Sequence, residues 1–229
     1  MLALIVLTTV RKTIFILLMT LFFVSKMSFS REINRQQTEA KLSQGLRVLE
    51  VQVQKAASLD QSRRAALKKI TSIIDRYNET MSETQKAQVA GTIYEMSLKY
   101  QNLDLDLICA TITHESALTW DPTVVSPAGA LGLMQIMPYM GAVLCKNEGI
   151  EWTSAEKILF DPVSNIRMGC RYLSSLIELY EVDGGLAAYN GGAVRAAMWL
   201  ASGRDNEVLY EETRGYIPAI LKLYDTYRN

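Results

Sequence analysis

The chain has 229 residues, 49% of them hydrophobic, and carries 24 basic and 24 acidic side chains. This length is enough for one domain with a sizeable core. The charges are unevenly distributed: residues 31–101 carry twelve Lys or Arg and eight Asp or Glu, whereas residues 102–229 carry nine and sixteen. No basic stripe is interleaved with aromatic side chains, and the C-terminal part is acidic, so we expect no nucleic-acid partner.

Residues 1–30 are predicted to be a secretory signal peptide. Arg11 and Lys12 precede a twelve-residue apolar run, and small side chains at the two positions that a signal peptidase reads end at Ser30. An uncleaved membrane anchor is the alternative, because the stretch before Arg11 is apolar too. The two basic residues interrupt the combined run before either half reaches the ~20 residues of a spanning helix. We therefore expect an exported protein of the periplasm or cell envelope.

Residues 31–76 are predicted to form a helical N-terminal extension. Apolar side chains recur at spacings of four, three and four from Leu42 to Val53, and again after Asp60, which could cap a second helix. The pattern favours two helices or a helical hairpin. It contains no catalytic constellation, and we expect it to pack on the domain or on a partner protein.

Glu115 is the candidate general acid. Leu105, Ile108 and Ile112 precede it at spacings of three and four, which places Glu115 on the continuation of an apolar helix stripe. A carboxyl held against apolar neighbours loses hydration, which raises its pKa above the ~4.3 of a free Glu. A carboxylic acid that stays protonated near neutral pH can protonate a leaving oxygen. The helix alone equally allows an ordinary surface Glu at a helix end.

The stretch SPAGALGLMQIMP at 126–138 follows this helix. It has glycines at 129 and 132 and no polar side chain between Ser126 and Gln135. Glycines let the backbone approach a neighbour or a ligand closely. Gln135 is a lone amide in an apolar run and needs hydrogen-bond partners if buried. The spacing does not decide between the floor of a binding cleft and a core Gln satisfied by backbone groups.

From Ile112 to Pro138 the chain resembles the catalytic domain of soluble-type lytic transglycosylases, which have a goose-type lysozyme-like fold. The resemblance covers roughly Tyr77 to the C-terminus, so we place the catalytic domain at 77–229. Three further segments match the family in the same order: DPVSNIRMGCRYL at 161–173, AAYNGG at 187–192 and ETRGYI at 212–217.

The resemblance implies a mainly α fold of the α+β lysozyme-like type. We expect a helical bundle around a cleft, with at most a small β-hairpin near 123–136, in addition to the N-terminal helical extension. It also implies that Glu115 is the catalytic residue and that a set of side chains binds the substrate: Ser126, Met134, Gln135, Tyr189, Asn190, Glu212 and Tyr216.

The activity that the resemblance implies is cleavage of the β-1,4 bond between N-acetylmuramic acid and N-acetylglucosamine in peptidoglycan glycan strands. One Glu acts as acid and then as base, no water is used, and 1,6-anhydro ends form. We expect no cofactor and no metal. The alternatives are a muramidase that uses water, and an inactive wall-binding or secretion-apparatus scaffold. The N-terminal extension would suit docking to secretion or division machinery.

Two departures from the family pattern are visible. The segment SALTWDPTVV contains what looks like a two-residue insertion near Trp120, which bears on the placement of Ser126 and the cleft wall. Gly191 replaces the Ala that usually follows the Asn of the AAYNGG segment, and we expect this change to be harmless. Asp121, in the first of these segments, is the nearest candidate for a second carboxylate.

Several other residues are expected to be structural. His114 is the only His and precedes Glu115 by one position, so it points about 100° away around the helix. We expect Asn165 to form a cap or loop hydrogen bond and Cys109 to lie in the core. Cys145 and Cys170 could form a disulfide, and the sequence leaves that question open.

The signal-peptide interpretation makes a direct prediction. The mature chain should begin at Arg31 and lie outside the inner membrane. N-terminal sequencing of the native protein measures this start, and a chain that begins at Met1 and stays in the membrane would identify an anchor instead.

Overall fold

The structure is a computed structural model that describes residues 2–229, with side chains described from residue 12 onward. The described chain consists of helices and loops, without β-strands. Isolated bridges join Val125 to Leu131 and Leu131 to Ile136, so the segment expected to form at most a small hairpin forms two bridges.

The α-helices, in chain order, are α1 (Leu2–Tyr77), α2 (Glu83–Lys99), α3 (Leu105–Glu115), α4 (Pro138–Glu148), α5 (Ala155–Leu159), α6 (Pro162–Gly191), α7 (Ala193–Ala201) and α8 (Glu211–Arg228), and a 3₁₀ helix spans Asn206–Val208. The mainly α prediction is confirmed.

The chain divides into two units, Met1–Asp60 and Gln61–Asn229. Helix α1 continues through Asp60 without a break, so the prediction of two helices or a hairpin is wrong. An Asp inside a helix costs less than about 1 kcal/mol relative to Ala, and no Pro interrupts the segment. Side chains 12–60 are exposed.

Among the residues with described side chains, one helix, Lys12–Tyr77, contains a stretch long and apolar enough to cross a membrane. A signal sequence near the N-terminus meets the same criteria of length and composition. Cleavage after Ser30 and the anchor alternative are therefore both compatible with this helix, and the cleavage stays a prediction.

Helix α3 lies in the core of the second unit. Its first turn is capped by Asp104, whose side chain accepts hydrogen bonds from the backbone N–H groups of Asp106 and Leu107. Ile108 and Ile112 are fully buried, as the apolar stripe predicts. The helix packs against α2 and α8, while α6 packs against α2, α7 and α8. Glu115 thus stands at the end of a helix that is fixed by packing along its length.

Trp120 anchors the chain directly after α3. Its ring is fully buried, its indole Nε1–H donates to Thr113 Oγ1 over 2.9 Å, and its backbone N–H donates to Ser116 Oγ over 3.0 Å. Ala117, Leu118 and Trp120 all have positive φ, at 52°, 62° and 50°. Such residues cost on the order of 1 kcal/mol each and persist only where the surroundings impose them. Trp120 therefore anchors the apparent insertion in the core, while residues 117–119 are exposed.

The three cysteines are free and buried. Cys109 lies in the core, as expected. The pairing that the sequence left open is absent: Cys145 Sγ contacts Met168 Sδ at 3.6 Å, and Cys170 Sγ contacts Met134 Sδ at 3.9 Å.

Asn165, near the start of α6, clamps the loop that precedes α4. Its Oδ1 accepts from the backbone N–H of Met134 over 2.8 Å, and its Nδ2 donates to the carbonyl oxygens of Leu131 at 2.9 Å and Leu159 at 2.8 Å. The Asn165 side chain fits here because position 132 is a glycine: a Cβ at that position would come within 2.4 Å of Asn165 Nδ2. The expected loop hydrogen bond is confirmed, and Asn165 forms three.

We predict that Asn165→Ala lowers the free energy of unfolding by roughly 3 kcal/mol, because three buried backbone groups lose their partners. Denaturant unfolding measures the change. Asn147→Ala, at an exposed position on α4, is the control and should change the free energy by less than about 0.5 kcal/mol. Equal stability of both variants would show that Asn165 does not hold the loop.

Candidate active site

Glu115 is the last residue of α3, and its carboxyl meets a side chain from α8. The Tyr216 hydroxyl donates to Glu115 Oε1 at 2.5 Å. The two residues are 101 positions apart in the chain, so this contact exists only because α3 and α8 pack together. Part of Glu115 faces solvent, while protein atoms closely surround the carboxyl.

Three effects set the pKa of Glu115. Burial is the largest and raises the pKa, the hydrogen bond from Tyr216 lowers it, and the negative charge of Glu212 raises it. The result is a pKa of about 7. The sequence-based expectation of a raised pKa is confirmed, and the carboxyl can give and take its proton near neutral pH.

Tyr216 is held in place by the ring of His114. The two ring centroids are 4.8 Å apart in an edge-to-face arrangement, which aromatic pairs favour. Burial lowers the pKa of His114 and raises that of the Tyr216 hydroxyl well above its usual value, so both are neutral at neutral pH. His114 is therefore a packed, neutral side chain, in agreement with the structural role expected for it from the sequence.

Met134 and Gln135 lie on the loop held by Asn165. The Met134 carbonyl accepts from the Tyr189 hydroxyl over 2.7 Å, which ties this loop to α6. Gln135 has φ of 46°, and its Nε2 donates to the carbonyl oxygens of Gly132 at 2.8 Å and Val124 at 3.3 Å. The Gln135 amide nitrogen is thus satisfied by backbone groups. This is the arrangement expected of a core Gln, whereas the other alternative was the floor of a binding cleft.

Gln135 also lines a cavity of about 180 Å³. Tyr189 and Asn190, at the end of α6, contribute to the same cavity, and so do Tyr139 and Tyr172, which sequence reasoning did not single out. The two alternatives for Gln135 are therefore compatible, since one side chain both closes the loop and faces an opening.

Asn190 and Glu212 are joined directly. Asn190 Nδ2 donates to Glu212 Oε1 over 3.2 Å, and Thr213 Oγ1 donates to Asn190 Oδ1 over 2.6 Å. Sequence reasoning missed Thr213, although it lies inside the ETRGYI segment and three residues before Tyr216, a spacing that places both on one helix side.

Ser126 and Asp121 stay within local turns. The Ser126 hydroxyl oxygen accepts from the backbone N–H of Ala130 over 3.0 Å and so closes a turn. Asp121 Oδ1 accepts from both the backbone N–H and the hydroxyl of Thr123, at 2.8 Å each. For both residues, the hydrogen bonds formed within the described part of the chain do not reach Glu115.

The comparisons with known proteins match this site to one family. The family model described as Transglycosylase SLT domain matches residues 92–209, slightly more than half of the chain. That range contains Glu115, Gln135 and Asn190, and ends just before Glu212.

Two curated relatives and one solved structure are similar to the chain. The soluble lytic murein transglycosylase of Escherichia coli K12 is 38% identical over 128 residues, which cover 52% of this chain and 19% of that protein. Membrane-bound lytic murein transglycosylase C of Shigella sonnei is 33% identical over 144 residues, covering 58% and 39%. The 70-kDa soluble lytic transglycosylase in complex with bulgecin A has a TM-score of 0.54 at 32% identity, covering 60% and 24%. The chain thus spans about a fifth of the length of the first relative.

Two substitutions should move the pKa of Glu115 in opposite directions. Tyr216→Phe removes the hydrogen bond to the carboxylate and should raise the pKa above its parental value of about 7. Glu212→Gln removes a like charge and should lower it. NMR titration of the Glu115 side-chain carbon measures both shifts.

Glu207→Gln is the control for these titrations, because its carboxylate is exposed and pairs with Arg214. It should leave the Glu115 titration unchanged. Shifts of the same sign in the Tyr216 and Glu212 variants would contradict the assignment of these two effects.

Proposed function

The chain belongs to the transglycosylase SLT domain family, and we propose on that basis that it is a lytic murein transglycosylase acting on the glycan strands of peptidoglycan. The single observation that carries this proposal is the Glu115 carboxyl, with its pKa of about 7 and its hydrogen bond to Tyr216. A group with such a pKa can give and take a proton near neutral pH, as general acid–base catalysis requires.

The proposed reaction begins with protonation of the glycosidic oxygen by Glu115. The C1–O bond between N-acetylmuramic acid and N-acetylglucosamine breaks, and the leaving sugar departs with the proton. The 2-acetamido oxygen of the muramic acid residue supports the positive charge at C1. The Glu115 carboxylate then takes the proton from the 6-hydroxyl, whose oxygen bonds to C1. A 1,6-anhydro end forms, and no water is consumed.

The proposed route requires one carboxylate, that of Glu115, whereas hydrolysis by most glycosidases requires two. Most glycosidases place a second carboxylate roughly 5 to 9 Å from the acid. Asp121 accepts two hydrogen bonds from Thr123 in an exposed turn, and Glu212 accepts one from Asn190. In the proposed route a neighbouring acetamido group takes the place of the second carboxylate, so neither Asp121 nor Glu212 is required as nucleophile or base.

The substrate-binding set is proposed as a whole: Ser126, Met134, Gln135, Tyr189, Asn190, Glu212 and Tyr216. Within it, burial raises the pKa of the Tyr189 hydroxyl well above its usual value, so Tyr189 is a neutral donor, and that donor already holds the Met134 carbonyl. We therefore assign Tyr189 to shaping the cleft, and Gln135 and Asn190 to polar contacts with the sugar.

The proposed location is the cell envelope, where the substrate lies. The apolar start of α1 serves there either as an export signal or as an anchor, and the Shigella relative carries the words membrane-bound in its name. Residues 31–76 are proposed to form an extension outside the catalytic domain, able to dock to secretion or division machinery.

Replacement of the acid tests the proposal. Glu115→Gln should lower the release of soluble fragments from purified wall by at least on the order of 10² to 10⁴, because the general acid is lost. Glu151→Gln, at an exposed position, is the control and should retain the parental rate. Undiminished activity of a folded Glu115→Gln variant would contradict the role of Glu115.

Mass spectrometry of the products separates the candidate functions. Anhydro ends support the transglycosylase, reducing ends the hydrolytic muramidase, and an absence of products the inactive wall-binding scaffold. The last two results would each overturn the proposed reaction.

A further inference from the structure

We propose that Thr213 is a positioning residue that, together with Glu212, holds the Asn190 amide in one orientation, so that Asn190 offers the substrate a hydrogen-bond donor rather than an acceptor. The glycan group that this donor would bind is an oxygen acceptor, such as a hydroxyl or an amide carbonyl. The inference rests on the proposed function, because it deepens the role of Asn190 in the same cleft.

The Asn190 side chain is held at both ends. Its Oδ1 accepts a 2.6 Å hydrogen bond from the hydroxyl of Thr213, and its Nδ2 donates a 3.2 Å hydrogen bond to Glu212 Oε1. Thr213 and Glu212 are neighbours in the first turn of α8, so one short segment contacts both ends of the amide.

The carboxylate partner allows only one orientation of this amide. A carboxylate accepts hydrogen bonds and donates none, so the Asn190 end that faces Glu212 must be the nitrogen. The oxygen then faces Thr213, and a hydroxyl can donate to it. If the amide were turned over, its oxygen would lie against the carboxylate oxygen of Glu212, which is unfavourable, whereas the Thr213 hydroxyl could still accept from the nitrogen. Glu212 therefore decides which end of the amide is which, and Thr213 holds the oxygen end in place.

The remaining hydrogen-bonding capacity of Asn190 follows from this orientation. Nδ2 has two N–H groups, of which Glu212 takes one, so one N–H is left for a ligand. Asn190 lines the cavity of about 180 Å³ next to Gln135 and Tyr189, and part of its side chain is exposed there. A ligand in that cavity therefore meets an N–H donor.

Thr213 is rigid enough to hold the amide in this orientation. It is 1% exposed, whereas Asn190 is partly exposed. Gly191 lets the two segments approach, since a Cβ at that position would lie 2.8 Å from Thr213 Oγ1. The hydroxyl is thus packed directly under the end of α6 and has Asn190 Oδ1 as its acceptor.

The test is the affinity for a soluble N-acetylglucosamine oligosaccharide, measured by calorimetry in the Glu115→Gln background so that nothing is cleaved. Thr213→Val keeps the shape and removes the hydroxyl, and should weaken binding by about three- to tenfold, the range expected for loss of one neutral hydrogen bond. Thr213→Ser keeps the hydroxyl and should restore the affinity.

A matched control uses the same substitution elsewhere. Thr92 is buried on α2, and its hydroxyl donates to the Gln88 carbonyl of its own helix over 2.8 Å. Thr92→Val should bind the oligosaccharide like its parent. Thermal unfolding of all variants checks that a change in affinity does not reflect partial unfolding.

A double-mutant cycle shows whether Thr213 acts through Asn190. Once Asn190→Ala has removed the amide, Thr213→Val should change the affinity by less than about twofold, because the group it orients is gone. Full additivity of the two changes would overturn the inference, and so would unchanged binding by a folded Thr213→Val single variant.

Kinetics with the otherwise intact protein separate this inference from the proposed function. In proteins that retain Glu115, Thr213→Val should raise KM about three- to tenfold with little change in kcat. Parental KM in an active Thr213→Val variant overturns only the role of Thr213. A parent protein that releases no fragments from wall, yet binds the oligosaccharide with the expected Thr213 effect, overturns the proposed reaction and leaves the orientation of Asn190 supported.

Discussion

The contact between the Glu115 carboxyl and the Tyr216 hydroxyl is the interaction on which the candidate site depends. Burial alone would hold the proton on Glu115, and the hydrogen bond from Tyr216 alone would release it. These two effects oppose each other and, with the negative charge of Glu212, leave the pKa at about 7. Both require that α3 and α8 pack at this point, so the proton affinity of the acid is a consequence of the core.

Two polar anchors inside the fold fix segments that adjoin the candidate site. Trp120 ties the chain after α3 to Thr113, and Asn165 ties the Met134 loop to the start of α6. Each anchor satisfies buried backbone or side-chain groups that would otherwise destabilise the fold. Helix α8 carries Glu212, Thr213 and Tyr216, so one helix contacts both the acid and the amide of Asn190.

Local sequence patterns predicted the parts of this site that depend on local structure. The spacing of Ile108, Ile112 and Glu115 predicted the buried helix face and the raised pKa. The substrate-binding role of the residues in the family motifs stays a prediction. The hydrogen bond from Thr213 to Asn190 could not be predicted from local patterns, because it joins residues more than twenty positions apart. The second helix start expected at Asp60 was wrong, because a residue that favours helix caps is also tolerated within a helix.

The most direct test of the central claim compares two pH titrations of the parent protein. One follows the Glu115 carboxyl by NMR, and the other follows the rate of wall cleavage. If this buried carboxyl is the acid, its titration midpoint and the alkaline limb of the rate should coincide near the pKa of about 7. A Glu115 that titrates near the ordinary Glu value while cleavage persists at neutral pH would contradict the account.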